Sequence, residues 1–257
     1  MRIAILGSGS SGNSVFVEEN NFRFLVDAGF SGKEIEKRLN KLGVAPDTIG
    51  AILITHEHSD HIKGAGIFSR KYNIPIYMAK KSYDYSAKKL GKLSDENLNF
   101  IIDNFIIDSE ILIKPFKVMH DAVNTLGFSI NFGQKKVAIA TDIGYATNIV
   151  SENFKDSDAI IIESNYDYEM LMNGPYPWDL KNRVKGRNGH LSNMDTAKFI
   201  NKIYSKKLKK VYLAHISKDN NTHKKAKETL FNYLKDNDIK IDIEVAHQDR
   251  VSTIFEI

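Results

Sequence analysis

Apolar and polar positions alternate with a period of two near the start of the chain. The run RIAIL leads into GSGSSGNS at positions 7–14, and residues 13–27 then place apolar side chains at every second position on both sides of a polar break. Such alternation in β-branched and aromatic residues predicts a β-hairpin. Gly7, Gly9 and Gly12 match the dinucleotide-binding pattern G-x-G-x-x-G, which requires a helix directly after the glycines. The glycines therefore need another explanation.

The later apolar runs divide into helices and strands. Ser31 and Glu34 have the form of a capping box before a helix that ends at Gly43, and Ser192 and Thr222 are predicted to cap two later helices. Residues 67–73 also look helical. The predicted strands after the hairpin are residues 51–55, 74–79, 111–120, 127–132, 136–142, 159–164, 210–217, 241–247 and 251–257.

The order of these elements predicts the fold class. The chain is rich in strands at first and then alternates strands with helices. This order predicts an α/β protein in which two sheets pack face to face with helices outside, a four-layer αββα sandwich. No linker or low-complexity stretch interrupts the sequence, so we predict a single domain over residues 1–257.

Several predicted strands end in residues that can carry chemistry. These residues are Asp27, His56, His120, Asp142, Glu163 and His215. One such residue is explained by a buried hydrogen bond, whereas six together are better explained by a shared pocket at the strand ends.

Composition narrows the chemistry of that pocket. The chain has no cysteine, which fits a reducing compartment and leaves histidine and carboxylate as metal ligands. No signal-like segment occurs, and no apolar run approaches the ~18 residues of a membrane span. We therefore expect a cytoplasmic protein with no membrane partner. The net charge of +4 leans weakly towards a polyanionic partner, although a lysine-rich solvated surface also explains it.

The stretch THEHSDH at positions 55–61 carries the clearest chemical signal. His56, His58, Asp60 and His61 have the spacing H-x-H-x-D-H directly after a predicted buried strand. In a loop that leaves a strand, the two first histidines can face one metal ion while Asp60 and His61 turn towards a second. The alternative is a solvated loop that is merely rich in histidine.

Residues outside this stretch can complete a site for two metal ions. The expected ligand sets are His56, His58 and His120 for one ion, Asp60, His61 and His215 for the other, and Asp142 as the bridge. Histidine and carboxylate ligands suit Zn²⁺, Mn²⁺ and Fe alike, so the native metal stays open.

These motifs resemble the metallo-β-lactamase superfamily over essentially the whole chain. Within it, the stretches GSGSSGNS, HDA, ESNYDYEML, GPYPWDLKNRV, GHLSN and LAHISKDNNT resemble the YycJ/WalJ group of 5′ to 3′ exonucleases on double-stranded DNA. The resemblance implies a dinuclear metal centre and hydrolysis of DNA by a metal-activated hydroxide. The chain departs from the group at Tyr166, where the group often has histidine.

Phosphodiester hydrolysis also requires groups that orient the nucleophile and protonate the leaving oxygen. Asp60 is expected to bind metal and to orient the attacking hydroxide. In related RNA-processing members of the superfamily a glutamate and a histidine act together on the leaving group, and the similar residues here are Glu163 and His190. We expect His190 to be the general acid, with Glu163 fixing its tautomer and raising its pKa. A phosphate contact or a structural role is the alternative for His190.

Three further features have more than one interpretation. The loop from Gly7 to Gly12 either brings backbone N–H groups to the metal or a phosphate, or only turns the chain. Asp27 is expected to accept an N–H from a metal-bound histidine. Arg183, Lys185 and Arg187 could hold backbone phosphates, whereas the lysines at 206–210 are expected on a solvated face.

Three classes of function compete. The leading one is a metal-dependent phosphodiesterase, foremost a 5′ to 3′ exonuclease with double-stranded DNA as its partner. An RNA-processing nuclease or a small-molecule phosphodiesterase would share the metal chemistry. A metal or nucleotide sensor without enzymatic activity is the third class, and the complete ligand set counts against it. The oligomeric state stays open.

Overall fold

A β-hairpin follows the glycine-rich stretch in the computed structural model, which describes residues 1–257. The first strand (Arg2–Gly7) pairs antiparallel with the second (Ser14–Glu19), which pairs antiparallel with the third (Phe22–Val26). No helix follows the glycines, because the chain enters the second strand directly after Asn13. The predicted hairpin is confirmed.

Fourteen strands and nine helices make up the regular structure. The strands are β1 (Arg2–Gly7), β2 (Ser14–Glu19), β3 (Phe22–Val26), β4 (Ile49–Leu53), β5 (Ile76–Met78), β6 (Leu98–Phe100), β7 (Phe105–Ile107), β8 (Ile111–Lys117), β9 (Leu126–Phe132), β10 (Lys135–Ala140), β11 (Ala159–Glu163), β12 (Lys210–Ala214), β13 (Asp242–Val245) and β14 (Phe255–Glu256). The helices are α1 (Gly32–Lys41), α2 (Ser59–Ile62), α3 (Ala65–Tyr72), α4 (Lys80–Leu90), α5 (Asn148–Phe154), α6 (Tyr168–Asn173), α7 (Trp178–Val184), α8 (Asn193–Ile203) and α9 (His223–Asp236).

The chain divides into two units by its internal contacts. Unit 1 consists of residues 1–115, 122–126 and 247–257, and unit 2 consists of residues 116–121 and 127–246. The single domain over residues 1–257 is not tested by this division and stays a prediction. None of the helices combines the length and the apolar character that crossing a membrane requires.

Unit 1 is built on a seven-stranded sheet in the order β14-β1-β2-β3-β4-β5-β6. The strands from β3 to β6 are parallel, so their carboxyl ends lie at the same edge. Leu6, Phe16 and Leu25 are completely buried on this sheet and belong to the same core as Leu39 of α1 and Phe68 of α3. Helix α1 begins as predicted, with the side chain of Ser31 accepting a hydrogen bond from the backbone N–H of Glu34.

Unit 2 contains five neighbouring strands in the order β13-β12-β11-β10-β9. Strands β10 to β13 are parallel, and β9 is antiparallel to β10. Ile162 and Leu213 on the sheet share a core with Ile200 of α8 and Leu230 of α9. The two predicted caps are confirmed, since Ser192 and Thr222 accept hydrogen bonds from the first turns of α8 and α9.

Several predicted strands are shorter in the structure. β8 ends at Lys117 and β10 at Ala140, so His120 and Asp142 lie in loops after their strands instead of closing them. The predicted strand 251–257 is paired only over Phe255–Glu256. The strand ends were predicted too late because a run of apolar residues indicates burial and not strand pairing. Val118, for example, is buried although it lies beyond the last residue of β8. Helices α2, α4, α5, α6 and α7 were not predicted individually.

Candidate metal centre

The histidine-rich stretch forms a short loop and one helical turn in unit 1. His56 lies three residues after the end of β4, while Asp60 and His61 lie in α2. The ring centroids of His56 and His61 are 4.0 Å apart, and those of His56 and His58 are 4.6 Å apart. His56 and His61 are completely buried, so the interpretation as a solvated loop is wrong.

Asp27 holds this loop from the end of β3. Its Oδ1 accepts from the backbone N–H of Thr55 at 2.8 Å, and its Oδ2 lies 2.8 Å from Nδ1 of His61. A carboxylate only accepts hydrogen bonds, so Nδ1 of His61 carries the proton and Nε2 is the nitrogen that could bind a metal. Burial raises the pKa of Asp27, and the contacts with His61 and Thr55 partly offset this effect. The predicted contact of Asp27 with a histidine is present, and metal binding by this histidine stays a prediction.

Asp27 also adopts an unusual backbone conformation, with φ at 63°. His215 in unit 2 does the same, with φ at 53°. The left-handed region is uncommon for residues other than glycine, although aspartate and histidine enter it more often than most. Both residues follow a strand directly, so the turn redirects the chain immediately where a functional side chain is needed.

The glycine-rich loop is anchored by Asn13. The Oδ1 of Asn13 accepts from the hydroxyl of Ser8 and the backbone N–H of Gly9, and its Nδ2 lies 3.1 Å from both Asp60 Oδ2 and His61 Nε2. Four backbone N–H groups in the loop, those of Ser8, Gly9, Ser11 and Gly12, donate to oxygens of the protein itself.

These four N–H groups have acceptors within the protein, which favours the interpretation that the loop turns the chain. The turn places the amide of Asn13 against Asp60 and His61. The backbone of Gly29 also packs closely against Asp60, because a Cβ on Gly29 would lie 1.6 Å from the carbonyl oxygen of Asp60. Only glycine fits there.

Glu57, between the first two histidines, was missed by the sequence reasoning. Its side chain is buried, and Oε1 accepts from the backbone N–H of Val123 at 2.7 Å. The backbone N–H of Leu126 donates to the carbonyl of Thr55 nearby. These two bonds tie residues 122–126 to the histidine loop. The sequence signal that could have identified Glu57 is its position as an acidic residue between two histidines that follow a buried strand.

Glu163 organises a second cluster in unit 2. It is the last residue of β11 and is completely buried. Its Oε1 lies 2.7 Å from Nδ1 of both His190 and His215, and its Oε2 accepts from the backbone N–H groups of Ile143 and Leu191 at 3.1 Å each. Four donors thus converge on one carboxylate. The predicted contact with His190 is confirmed, and the second contact with His215 was not predicted.

The surroundings of this carboxylate move two pKa values. Burial alone would raise the pKa of Glu163, but His190 and His215 outweigh it, and the pKa is lowered. Burial would lower the pKa of His190, but the adjacent Glu163 outweighs it, and the pKa is raised. The pair is therefore held as a carboxylate beside a histidine that retains its proton readily.

Asp142 and His120 complete the cluster of unit 2. Asp142 Oδ1 lies 3.3 Å from Nδ1 of His215 and 3.6 Å from Nε2 of His120. The Nδ1 of His120 faces the carbonyl oxygen of Gly189 at 3.2 Å, so it donates there and Nε2 is the nitrogen that could bind a metal. Asp142 thus lies beside two of the predicted ligand histidines.

The donor atoms of the two clusters fit divalent metal ions. One ligand atom each from Asp142, Glu163, His190 and His215 lies within 4.8 Å of the others. Imidazole nitrogens and carboxylate oxygens are ligands of Zn²⁺ and Mn²⁺. Unit 1 brings together the four predicted ligands of the histidine loop, and unit 2 brings together the other three with Glu163 and His190. The individual roles of these residues stay predictions.

Comparison with known proteins adds an independent line of evidence. Residues 7–190 match the model of the metallo-beta-lactamase superfamily. The chain is 38% identical over 246 residues to Exodeoxyribonuclease WalJ of Streptococcus pneumoniae serotype 2, which covers 95% of this chain and 91% of that protein. It is 34% identical over 237 residues to Exodeoxyribonuclease YycJ of Bacillus anthracis, which covers 92% of this chain and 90% of that one.

A solved structure gives the fold separately. The metallo-beta-lactamase fold protein YhfI of Bacillus subtilis has a TM-score of 0.75 to this chain at 14% identity, over 99% of both chains. At that identity the likeness shows the fold alone. The predicted αββα fold class and the resemblance on which it was based are confirmed.

Proposed function

Because the chain belongs to the metallo-β-lactamase superfamily, we propose that it is a metal-dependent exonuclease that degrades double-stranded DNA from the 5′ end. The observation that carries the proposal is the likeness to an exodeoxyribonuclease over nearly the whole length of both chains. The clusters of histidine and carboxylate support a metallohydrolase but do not distinguish among its substrates. A sensor without enzymatic activity does not fit relatives that are named as enzymes.

We propose the metal ligands that the sequence predicts. They are His56, His58, Asp60, His61, His120, Asp142 and His215. Two divalent ions, Zn²⁺ or Mn²⁺ with Fe as a further candidate, would supply a water activated for attack and would neutralise charge on the phosphate. Within each cluster a buried carboxylate holds a ligand histidine by Nδ1, so that Nε2 faces the metal.

The proton for the leaving oxygen is assigned to His190. Its Nδ1 is 2.7 Å from Glu163, and since the carboxylate can only accept, the proton on Nδ1 stays in that bond. The Nε2 of His190 is then the atom that can deliver a proton. The side chain of His190 is 21% exposed, whereas Glu163 is completely buried. The histidine can thus reach a substrate and the glutamate cannot, which makes Glu163 the positioning residue.

Three broader assignments accompany this proposal. We propose that the protein acts in the cytoplasm, because it has no cysteine and DNA is its proposed substrate. We propose that residues 1–257 act as one domain, because the superfamily match at residues 7–190 includes residues of both units. Duplex DNA is the proposed partner and RNA is the competing one.

The test is a time course on blunt duplex DNA labelled at one 5′ end, in the presence of Mn²⁺. We expect early release of labelled mononucleotide and no release from an RNA duplex of the same sequence. Asp60→Ala should reduce the rate about 1,000-fold or more, since metal-assisted stabilisation is worth several kcal/mol. Asp103→Ala, which removes an exposed aspartate of the same unit, is the matched control and should retain the wild-type rate.

Each other outcome is informative. Cleavage of RNA instead of DNA would refute the substrate while leaving the metallohydrolase in place. Release of label only at the end of the reaction would refute the 5′ to 3′ polarity. Full activity of Asp60→Ala would refute the role of the histidine loop.

A further inference from the structure

A basic cleft lies in unit 2, outside the cluster of candidate ligands. It has a volume of about 320 Å³, and its wall includes Lys185, Arg187, Lys198 and Lys202 but only one acidic residue, Asp195. We call these four cations and the space between them the basic cleft. Two segments supply them, the loop that runs into His190 and helix α8.

The positive charge of the basic cleft is not compensated within the protein. Neither Arg187 nor Lys198 forms an ion pair in the structure, and the Nζ of Lys202 has only a 3.5 Å contact with the amide oxygen of Asn148. Lys198 and Lys202 are one helical turn apart, a spacing at which like charges repel. Such an arrangement is unfavourable for the free protein and favourable once an anion occupies the cleft.

Other basic side chains nearby are compensated and serve as a contrast. Arg183 was expected from the sequence to hold a phosphate together with Lys185 and Arg187. Its Nε lies 2.7 Å from Asp121, and a second nitrogen contacts the same carboxylate. Lys210 likewise contacts both Asp242 and Glu244. These cations have acidic partners within the protein, so Arg183 is a weaker candidate for a phosphate contact than Lys185 or Arg187, and the expectation for Arg183 stays a prediction.

Arg187 is held in a geometry suited to phosphate. Its guanidinium carbon lies 4.9 Å from the ring centroid of Tyr145, which is half exposed. A guanidinium that rests against an aromatic ring keeps its N–H edge available for bidentate contacts. The ring therefore fixes the cation without neutralising it.

The basic cleft lies next to the segments that contact Glu163, the partner of the proposed general acid His190. Glu163 accepts hydrogen bonds from the backbone N–H groups of Ile143 and Leu191. Leu191 itself and Gly144, the residue after Ile143, both line the cleft. A Cβ on Gly144 would lie 2.4 Å from the carbonyl oxygen of Arg187, so the two segments are in direct contact. An anion in the cleft is thus a near neighbour of His190.

We propose that the basic cleft binds backbone phosphates of the DNA strand beside the bond that is cut. This inference rests on the proposed function, because it assigns part of that substrate to residues outside the set of proposed metal ligands. Phosphate contacts hold a strand in register and carry no base sequence. The cleft therefore positions any DNA end for the nuclease site.

The test measures binding separately from cleavage. The probe is a labelled duplex whose 5′-terminal linkages are phosphorothioates that resist hydrolysis, and fluorescence anisotropy gives its Kd for the metal-loaded protein across a salt series. For Arg187→Gln/Lys198→Gln we expect Kd to rise about tenfold or more and the slope of log Kd against log salt to fall by about 2, one for each lost phosphate contact. Thermal unfolding verifies that the variant is folded.

A control variant and the activity of the wild-type protein distinguish the possible outcomes. Lys227→Gln removes an exposed lysine from α9 that forms no ion pair, and its Kd and slope should match the wild type. Unchanged Kd and slope in the double variant, with wild-type protein that binds and cleaves DNA, would refute the cleft and leave the proposed function standing. Wild-type protein that binds an RNA duplex through the cleft but neither binds nor cleaves DNA would refute both proposals.

Discussion

The two ligand clusters are assembled in opposite ways from the same chemical groups. In unit 1 all four candidate ligands lie within residues 56–61, on one loop and one helical turn. In unit 2 the three candidates are spread from His120 to His215 and follow three different strands, β8, β10 and β12. Each cluster nevertheless has a buried carboxylate that holds a ligand histidine by Nδ1, Asp27 in one and Glu163 in the other.

The two carboxylates differ in the number of separate chain segments that they contact. Asp27 contacts Thr55 and His61, which lie in one loop. Glu163 contacts two histidines and two backbone N–H groups from three separate segments. A loop with local spacing needs one anchor, whereas a dispersed cluster needs a carboxylate that joins its parts. We therefore expect the cluster of unit 2 to be the more sensitive to single substitutions.

Within unit 2 the largest effect is expected at Asp142, which lies beside two histidines that are proposed ligands. Asp142→Ala should lower kcat/KM on duplex DNA about 1,000-fold, because loss of a bridging ligand removes several kcal/mol of charge stabilisation. Atomic emission should find less metal per chain than in the wild type. Asp179→Ala removes an exposed aspartate of the same unit and is the control. Full metal content together with full activity would contradict the proposed bridge.

The next effect tests the carboxylate that joins the dispersed cluster. In Glu163→Gln one side-chain oxygen becomes an NH₂ group, which faces donors instead of accepting from them. We expect a loss of about 100-fold in kcat/KM and a loss of about 1 to 3 kcal/mol in the free energy of unfolding.

A double-mutant cycle sharpens the interpretation of Glu163. If Glu163 acts through His190, adding His190→Ala to Glu163→Gln should cost far less activity than His190→Ala costs alone. Strictly additive losses would show that the two side chains act independently. The stability loss should appear with Glu163→Gln and not with His190→Ala.

A smaller effect is expected for the carboxylate of the compact cluster. Asp27→Asn keeps an oxygen acceptor but loses the charge that orients His61, so metal affinity should fall about 10-fold to 100-fold. Competition of the protein with a chelating dye for Zn²⁺ measures this. A loss of activity greater than that of Glu163→Gln would overturn the comparison between the two clusters.

The smallest effect concerns the helix caps, one in each unit. Thr222 accepts from the N–H of Lys225 at 3.0 Å, and Ser31 accepts from that of Glu34 at 3.4 Å. Thr222→Ala should lower the free energy of unfolding by about 1 kcal/mol, and Ser31→Ala by less, because the longer bond is weaker. Denaturant titration measures both. Equal losses would show that these caps act through backbone conformation and not through the bond.

The sequence predicted local structure well where the signal lies within a few neighbouring residues. The period-two alternation predicted the hairpin, the capping residues Ser31, Ser192 and Thr222 predicted the starts of three helices, and H-x-H-x-D-H predicted the histidine cluster. It failed where burial and pairing differ, as at the ends of β8 and β10. It left two interpretations open for the loop from Gly7 to Gly12, because the acceptors of the N–H groups in this loop include His247 and Gln248, far away in the chain.

The sequence by itself determined which residue types are available: a motif of histidines, no thiolate, and carboxylates near strand ends. Only the tertiary structure decided which of these side chains touch. In the structure Glu163 contacts two histidines and Arg183 forms an ion pair with Asp121. Arg187 and Lys198 form no ion pair. The physical reason is that spacing along a chain fixes neighbours within a turn or a loop, whereas hydrogen-bond partners across a sheet depend on the register of β10, β11 and β12.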